Sequence, residues 1–590
     1  MKFKKLLSVI LGLTVASSFS MCALACGDDV ENWTPPKNTD EYNIPQDYSR
    51  TYYELFVRSF SDGNGDGIGD LRGLINNLDY LNDGDDSTMT DLGVNGLWLM
   101  PINASPSYHG YDVTNYKTIA SDYGTLDDFD ELVSECEKRG IWLQMDLVLN
   151  HTSSQHPWFK NALKDARDGL DVEDSVWMQR YEFYRKSEKP ASGTYYDVSN
   201  SDYCYLGNFS SGMPDLNLVD RETNGLKEEI EDIVDFWLER GVRSFRLDAV
   251  PWACNNSTNY NEANGEFWTW FNDYCNAKGA EVFGKPDDGI NRYCYNVGEV
   301  WSSNSQIAPF FSTGMTSFNY DMGGGSNAPF VRVANCTYNA GAATLIKNLA
   351  EMQADALLRD PNALLSNFLS NHDNDRSAGY LLYNPSNIKR AAGLYLLAPG
   401  NPYIYYGEEI GAEGLRDSTV DSDADRRLPF NWGDSSKGIT NNPEGATYTG
   451  KQRLGSWKEQ TNQKNSILTY YREAIKLRNR FPEIGRGVIT AYALDASGKL
   501  TVSASAIGSA ASLVKANPLN KTIAAYTLEY KGSKILIVQN VGDSAASIDF
   551  SLFDGYENVG EVKADGGKAE VNGGKLNISA GVAAIFKIAE

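Results

Sequence analysis

The sequence is short of positive charge, of histidine and of long apolar runs, and each shortage argues against a class of function. Lys and Arg number 53 against 78 Asp and Glu, a formal net charge of −25. Such a surface repels phosphate polymers and anionic lipid headgroups, so no nucleic acid is expected as a partner. Beyond the amino terminus, no stretch approaches the ~18 uninterrupted apolar residues that a membrane-spanning helix needs. The 8 cysteines show neither a C-x-x-C nor a Cys/His zinc spacing. No internal repeat points to a solenoid. What is present is a chain of 590 residues, 42% hydrophobic and 22% charged, a balance that folds and a length that accommodates two or three domains. Aromatic residues make up 12%, with 34 Tyr and 12 Trp. Their flat faces suit sugars, although most rings in any protein fill core.

The amino terminus carries an address. Lys2, Lys4 and Lys5 precede the apolar run Leu6 to Phe19, and Ala23-Leu24-Ala25 supplies the small residues at which export signals are cut, so residues 1–25 read as a signal peptide. Cleavage after Ala25 exposes Cys26, followed by a polar tether over 26–46 that resembles the start of a bacterial lipoprotein and implies a lipid anchor through Cys26. Ordinary secretion uses the same bond. Both outcomes place the chain outside the cytoplasm, at the cell surface or beyond, where disulfides are permitted. Cys136, Cys204, Cys254, Cys275, Cys294 and Cys336 then remain, either paired or as buried free thiols.

From Thr51 onward, short apolar runs alternate with amphipathic stretches. The runs Tyr52–Val57, Gly96–Met100, Ile141–Leu147, Val242–Asp248, Tyr295–Glu299, Thr316–Tyr320, Leu365–Ser370 and Pro402–Tyr406 read as strands, and Leu126–Arg139 and Lys227–Arg240 as helices. Eight such units predict an α/β fold, a (β/α)8 TIM barrel. The barrel occupies 47–150 and 218–486. Residues 151–217, rich in Tyr, Asp and Ser, are too long for a βα loop and read as a small inserted domain after the third strand. From 487 to 590, β-prone runs such as Lys534–Gln539, Ala546–Phe550 and Val582–Ile588 predict a carboxyl-terminal antiparallel β-sandwich.

Four strand ends carry Asp146 to His151, Arg246-Leu247-Asp248, Gly298-Glu299-Val300-Trp301 and Asn371-His372-Asp373. Alone, each reads as a helix cap or salt-bridge partner. On a barrel, strand carboxyl ends form one face, so Asp248, Glu299 and Asp373 converge beside Arg246. Only four histidines exist, His109, His151, His156 and His372, and two of them stand in these motifs.

With Tyr108-His109-Gly110-Tyr111-Asp112 and the run Gly400 to Gly407 in the same order, the chain resembles the α-amylase family of glycoside hydrolases over nearly its whole length after Thr51. The resemblance implies that Asp248 is the nucleophile, Glu299 the general acid/base and Asp373 a carboxylate gripping sugar hydroxyls. It further implies that Tyr111 stacks under the reacting ring, that His109, His151 and His372 bind its hydroxyls, and that Arg246 orients Asp248. Retaining hydrolysis needs this pair of carboxyls, one attacking the anomeric carbon and one protonating the leaving oxygen.

Asp62-Gly-Asn64-Gly-Asp66-Gly-Ile68-Gly-Asp70 sets oxygen donors at alternate positions, like the front of an EF-hand loop, and predicts a structural Ca2+ held by Asp62, Asn64, Asp66, the Ile68 carbonyl and Asp70. It lacks the twelfth-position Glu, where Gly73 stands. Relatives of the oligo-glucosidase type carry a similar loop. Met213-Pro-Asp-Leu-Asn217 resembles the form intermediate between oligo-1,6-glucosidases and neopullulanases, and in the family a small residue at Ala249 accompanies α-1,4 cleavage. The implied activity is an α-amylase acting on starch and maltodextrins. The alternatives are an exo-acting α-glucosidase, a maltogenic or neopullulanase-type enzyme, and, further off, a transglycosylase, an isomerase or a non-catalytic starch-binding relative. Where many α-amylases place a Lys-His pair, this chain reads Val250-Pro251-Trp252, leaving Trp252 or Trp301 either to stack a sugar on the leaving side or, for Trp252, to fill core. Oligomeric state does not follow from the sequence.

Overall fold

Eight short parallel strands pair into one closed sheet in the computed structural model, which describes residues 48–255, 257–284, 292–416, 423–506 and 517–588. The export signal and the Cys26 tether lie outside those residues. The strands are β1 (Tyr52–Leu55), β2 (Gly96–Leu99), β3 (Trp142–Leu147), β4 (Ser244–Leu247), β5 (Val297–Gly298), β6 (Thr316–Ser317), β7 (Ser366–Phe368) and β8 (Asn401–Tyr405). Their order is β6-β5-β4-β3-β2-β1-β8-β7. A parallel bridge between Phe318, just beyond β6, and Ser366 in β7 joins the two edges and makes a barrel. Every expected strand is there. Most are shorter than the apolar runs, because residues flanking the hydrogen-bonded ladder stay buried after the ladder ends.

The two-residue period of a strand decides what faces the axis. Tyr52, Trp98, Val297, Phe318, Phe368 and Tyr403 form a cluster of their own inside the barrel, with the Tyr52 and Tyr403 rings stacked at 4.7 Å. The alternate residues Tyr53, Leu55, Leu97, Leu99 and Ile404 join the main core under the helices. Glu54 on β1, Asp146 on β3 and Arg246 on β4 share the inward phase, so that charge collects at one end of the axis.

The helix Leu126–Lys138 starts on a capping box between Thr125 and Asp128 and buries Phe129, Leu132, Val133 and Cys136, a helical spacing. The helix Leu226–Leu238 buries Ile230, Ile233, Val234 and Trp237 in the same way, and Gly241 beyond it takes φ 95°. Between β3 and β4 the chain forms a three-stranded antiparallel sheet from Phe183–Arg185, Tyr195–Asp197 and Tyr203–Leu206. It is tied back to the end of β3 by a bridge between His151 and Asp215. After Gly487 come a six-stranded and a three-stranded antiparallel sheet whose facing side chains, among them Leu536, Val538, Ile548, Leu576 and Phe586, make a separate core. That is a β-sandwich. All six remaining cysteines are free thiols, five of them buried and Cys336 exposed. No helix among the described residues is long and apolar enough to cross a membrane.

Candidate active site

Arg246 organises the mouth of the barrel. Its side chain is wholly buried, its Nη1 lies 2.6 Å from Asp248 Oδ1 and 3.0 Å from Asp146 Oδ1, and its Nη2 lies 3.0 Å from Glu299 Oε2. Three carboxylates from the carboxyl ends of β3, β4 and β5 thus meet one guanidinium, whose planar fork suits several oxygens at once. The backbone N–H of Ala249 donates to Glu299 Oε2 at 3.0 Å. Ala249 can do so because the chain turns sharply there, at φ 49°.

The second half of the site hangs on His372. Its Nδ1 is 2.7 Å from Glu54 Oε1, and its Nε2 is 3.0 Å from Asp373 Oδ2 and 2.6 Å from the Tyr111 hydroxyl. Tyr111 in turn donates to Asp146 Oδ2 at 3.0 Å, and its ring stacks on His372 with centroids 5.4 Å apart. Arg427 Nη2 donates to the other oxygen of Asp373 at 2.9 Å. His109 accepts the Tyr111 N–H on Nδ1 at 3.1 Å. His151 is buried against Phe209, takes a contact from Asn150 Nδ2 on Nδ1 at 3.3 Å, and has no hydrogen-bond partner for Nε2 among the described residues. An unused imidazole N–H in that position is a donor awaiting a hydroxyl.

These surroundings separate the titrations. Burial drives Glu299 up to about 7, helped by the charges of Asp248 and Asp373 and opposed by Arg246. Burial also raises Asp146, to about 6. For Asp373 burial acts upward as well, but the charges and hydrogen bonds of His372 and Arg427 outweigh it and hold the carboxyl far below its usual range. His372 is the mirror case: burial opposes its charge, yet Asp373 and Glu54 lift it to about 9. At neutral pH the site therefore holds a proton on or near Glu299 while Asp373 is ionised.

On one side of Glu299 opens a cleft of about 870 Å³, within the range of small-molecule sites, bounded by Phe209, Trp252, Tyr260, Asn264, Trp301 and Gln306. Trp252 is 45% and Trp301 55% exposed, which overturns the core reading for Trp252. The indole meets Phe209 edge-on at 5.9 Å, and both rings face the cleft.

All eight residues expected at the sugar site, Asp248, Glu299, Asp373, His109, Tyr111, His151, Arg246 and His372, come together at this mouth. Sequence reasoning missed three contributors. Glu54 had a signal, a lone carboxylate inside an apolar strand. Asp146 stood in a quoted motif without a role. Arg427 had none, since it lies 54 residues beyond its partner Asp373 in irregular chain.

The loop 62–70 folds as successive turns. Asp62 accepts the N–H groups of Asn64, Gly65 and Gly67, Asn64 that of Asp66, and Asp66 that of Ile68. Asp70 caps the helix Leu71–Asn76 through Gly73 and also accepts from Gly63. Among the described residues, no three His, Cys, Asp or Glu side chains gather at metal-holding distance. The donor chemistry suits a hard cation all the same: carboxylates keep lone pairs beyond those taken by N–H groups, and an amide and a carbonyl stand between them.

Residues 54–487 match the family description "Alpha amylase, catalytic domain". Alpha-amylase 3 of Dictyoglomus thermophilum is 31% identical over 86% of this chain and 88% of its own. The oligo-1,6-glucosidase of Bacillus cereus is 28% identical over 72% and 82%. Among solved structures, Eubacterium rectale Amy13B superimposes with a TM-score of 0.79 at 33% identity, covering 95% of this chain and 100% of the other. The α-amylase from H. orenii follows this fold at a TM-score of 0.73 and 31% identity over 92% and 99%. With a catalytic-domain match across most of the chain and carboxylates gathered at the carboxyl ends of its barrel strands, this protein belongs to the α-amylase family of glycoside hydrolases.

Proposed function

We propose that the enzyme is a retaining α-amylase that cleaves α-1,4-glucosidic bonds of starch and maltodextrins. The observation that carries this reading is the Arg246 guanidinium set between Asp248 and Glu299. Oriented by that cation, Asp248 attacks the anomeric carbon. Glu299, holding its proton near neutral pH, gives it to the leaving oxygen. The glycosyl group is then carried on Asp248 until water, deprotonated by Glu299, displaces it with overall retention. Asp373, His151, His109 and His372 bind hydroxyls of the same ring, and Tyr111 packs beneath it. The aromatic cleft beside Glu299 receives the leaving chain, with Trp252 and Trp301 standing where a Lys-His pair is absent. Ala249, which lines the cleft, supports α-1,4 over α-1,6 specificity, because a branched side chain there would take up space on the leaving side. Chromatography of products from starch, pullulan and isomaltose, with Asp248→Asn as the blank, tests the reading. Maltodextrins from starch are expected; glucose as the sole early product would assign exo action, and release from isomaltose would assign α-1,6 cleavage.

Two further expectations join it. Calcium at Asp62, Asn64, Asp66, the Ile68 carbonyl and Asp70 would stiffen the loop after β1; chelation should then lower the melting temperature and strip metal from the purified protein, and no change in either would make the loop metal-free. Export and a lipid anchor through Cys26 fit a polymeric substrate met outside the cell. Mass spectrometry of the mature amino terminus decides, an unmodified Cys26 excluding the anchor.

A further inference from the structure

Two buried thiols meet behind the barrel, between the helix that follows β4 and the chain that enters β5. The helix Tyr260–Phe283 carries Asn272, Cys275, Asn276 and Gly279 at positions i, i+3, i+4 and i+7, which share one face. Residues 293–296, just before β5, lie against that face. The Tyr293 N–H donates to Asn276 Oδ1 at 2.6 Å, Asn296 Nδ2 donates to Asn272 Oδ1 at 2.8 Å, and a Cβ added at Gly279 would sit 3.2 Å from that of Tyr293.

These contacts bracket Cys275 and Cys294 on both sides. The residue before Cys294 touches the residue after Cys275, and the residue two beyond Cys294 touches the one three before Cys275, so both side chains enter the same gap. Within it, the Cys294 thiol donates to Asn296 Oδ1 at 3.3 Å, and the Cys275 thiol hydrogen-bonds with both Cys294 and Asn296. Both cysteines are buried. Cys204 and Cys336 donate instead to the carbonyls of Tyr184 and Val541.

We infer that Cys275 and Cys294 are a latent disulfide pair, joined when the chain folds in the presence of a soluble or protein disulfide as oxidant. One cysteine, as its thiolate, attacks the oxidant and expels a first thiolate, leaving a mixed disulfide. The other cysteine then attacks that protein sulfur and expels the second. Two S–H bonds are lost and one S–S bond forms, while the oxidant is reduced to two thiols that take up both protons. Burial raises the Cys275 thiol well above its ordinary value and so withholds the nucleophilic thiolate once the core has closed, which assigns the reaction to folding. The bond encloses residues 276–293 and ties the entry of β5, whose far end carries Glu299, to the helix behind β4. It is independent of the α-amylase reading.

The full-length protein is unfolded under reducing conditions and refolded in a mixture of reduced and oxidised glutathione; where refolding yields no native material, cell-free synthesis in the same mixture supplies it. Protein eluting as the native form is alkylated without reduction and mapped by mass spectrometry. A peptide pair joined through Cys275 and Cys294 is expected, with Cys204 and Cys336 alkylated. Reducing the linked protein should lower its melting temperature by about 2–4 °C, a fall that Cys275→Ser and Cys294→Ala should not show. Full alkylation of both cysteines in the native fraction, a link from either to another cysteine, or an equal fall in the two variants would each overturn the inference.

Discussion

Arg246 Nη1 stands 2.6 Å from Asp248 Oδ1, two residues along the same strand end, and the same guanidinium reaches Glu299 with its other nitrogen at 3.0 Å. The same guanidinium also holds Asp146 at 3.0 Å, so neutralising either partner leaves the buried cation paired. Asp248→Asn and Glu299→Gln should each lower kcat by about three orders of magnitude or more. Melting temperatures should remain close to the unmutated value. Near-normal turnover in either variant would remove that residue from its assigned step.

The pH dependence of kcat/KM should have a basic limb set by Glu299. On the proposed mechanism its proton is the one donated, and burial raises its carboxyl to about 7. Activity should therefore fall as pH rises through about 7, approaching tenfold per unit above it. Asp373, held far below its usual range, and His372, charged up to about 9, contribute no limb in that interval. A profile flat to pH 9 would contradict the assignment.

Arg427 clamps Asp373 from outside the motifs. Arg427→Ala frees Asp373 Oδ1 and leaves His372 as its one ion-pair partner among the described residues. We expect KM to rise and kcat/KM to fall by about 10- to 100-fold. Arg427→Lys should recover part of the loss, since it restores the charge but not the fork. Unchanged kinetics in the alanine variant would show that Asp373 needs no second cation.

Glu408 gives the fold an alkaline weakness. It is buried, its Oε1 accepts the Tyr395 and Tyr471 hydroxyls at 2.7 and 2.8 Å, and its Oε2 has no partner among the described residues. Burial raises its carboxyl to about 8. A folded value above the unfolded one means stability that is full below the ordinary value of 4.5 and is lost as pH climbs to about 8. Glu408→Gln removes the titration, so the melting temperature of the unmutated protein should decline between pH 5 and 8 relative to the variant. Parallel curves would refute this. Glu409 is shifted in the same direction and remains in both proteins.

Much of the architecture is legible in the sequence, because strand and helix periods are local. The eight barrel strands, the helices Leu126–Lys138 and Leu226–Leu238, and the final strand Val582–Ile588 follow from apolar spacing and caps. The gathering of Asp248, Glu299 and Asp373 was legible for a different reason. A barrel delivers every strand end to one face, so a position along a strand predicts a position in space. What failed to show were contacts set by which strand lies beside which. Trp252 reads equally well as core or as surface, and only its 45% exposure against Phe209 decides. The six thiols offered many pairings, and the fold pairs none of them, burying five and exposing Cys336.

The sequence by itself determined the order of β and α units, the inward phase of Glu54, Asp146 and Arg246, and the residue types waiting at each strand end. Those properties depend on the two- and 3.6-residue periods and on nearest neighbours along the chain. Only the tertiary structure decided that Arg427 closes on Asp373, that His372 bridges Glu54 and Asp373, and that Trp301 stacks on Tyr320. Each of these joins residues from different strands or loops. Their energies arise from burial and charge at a few ångströms, distances that chain closure creates and that no local pattern encodes.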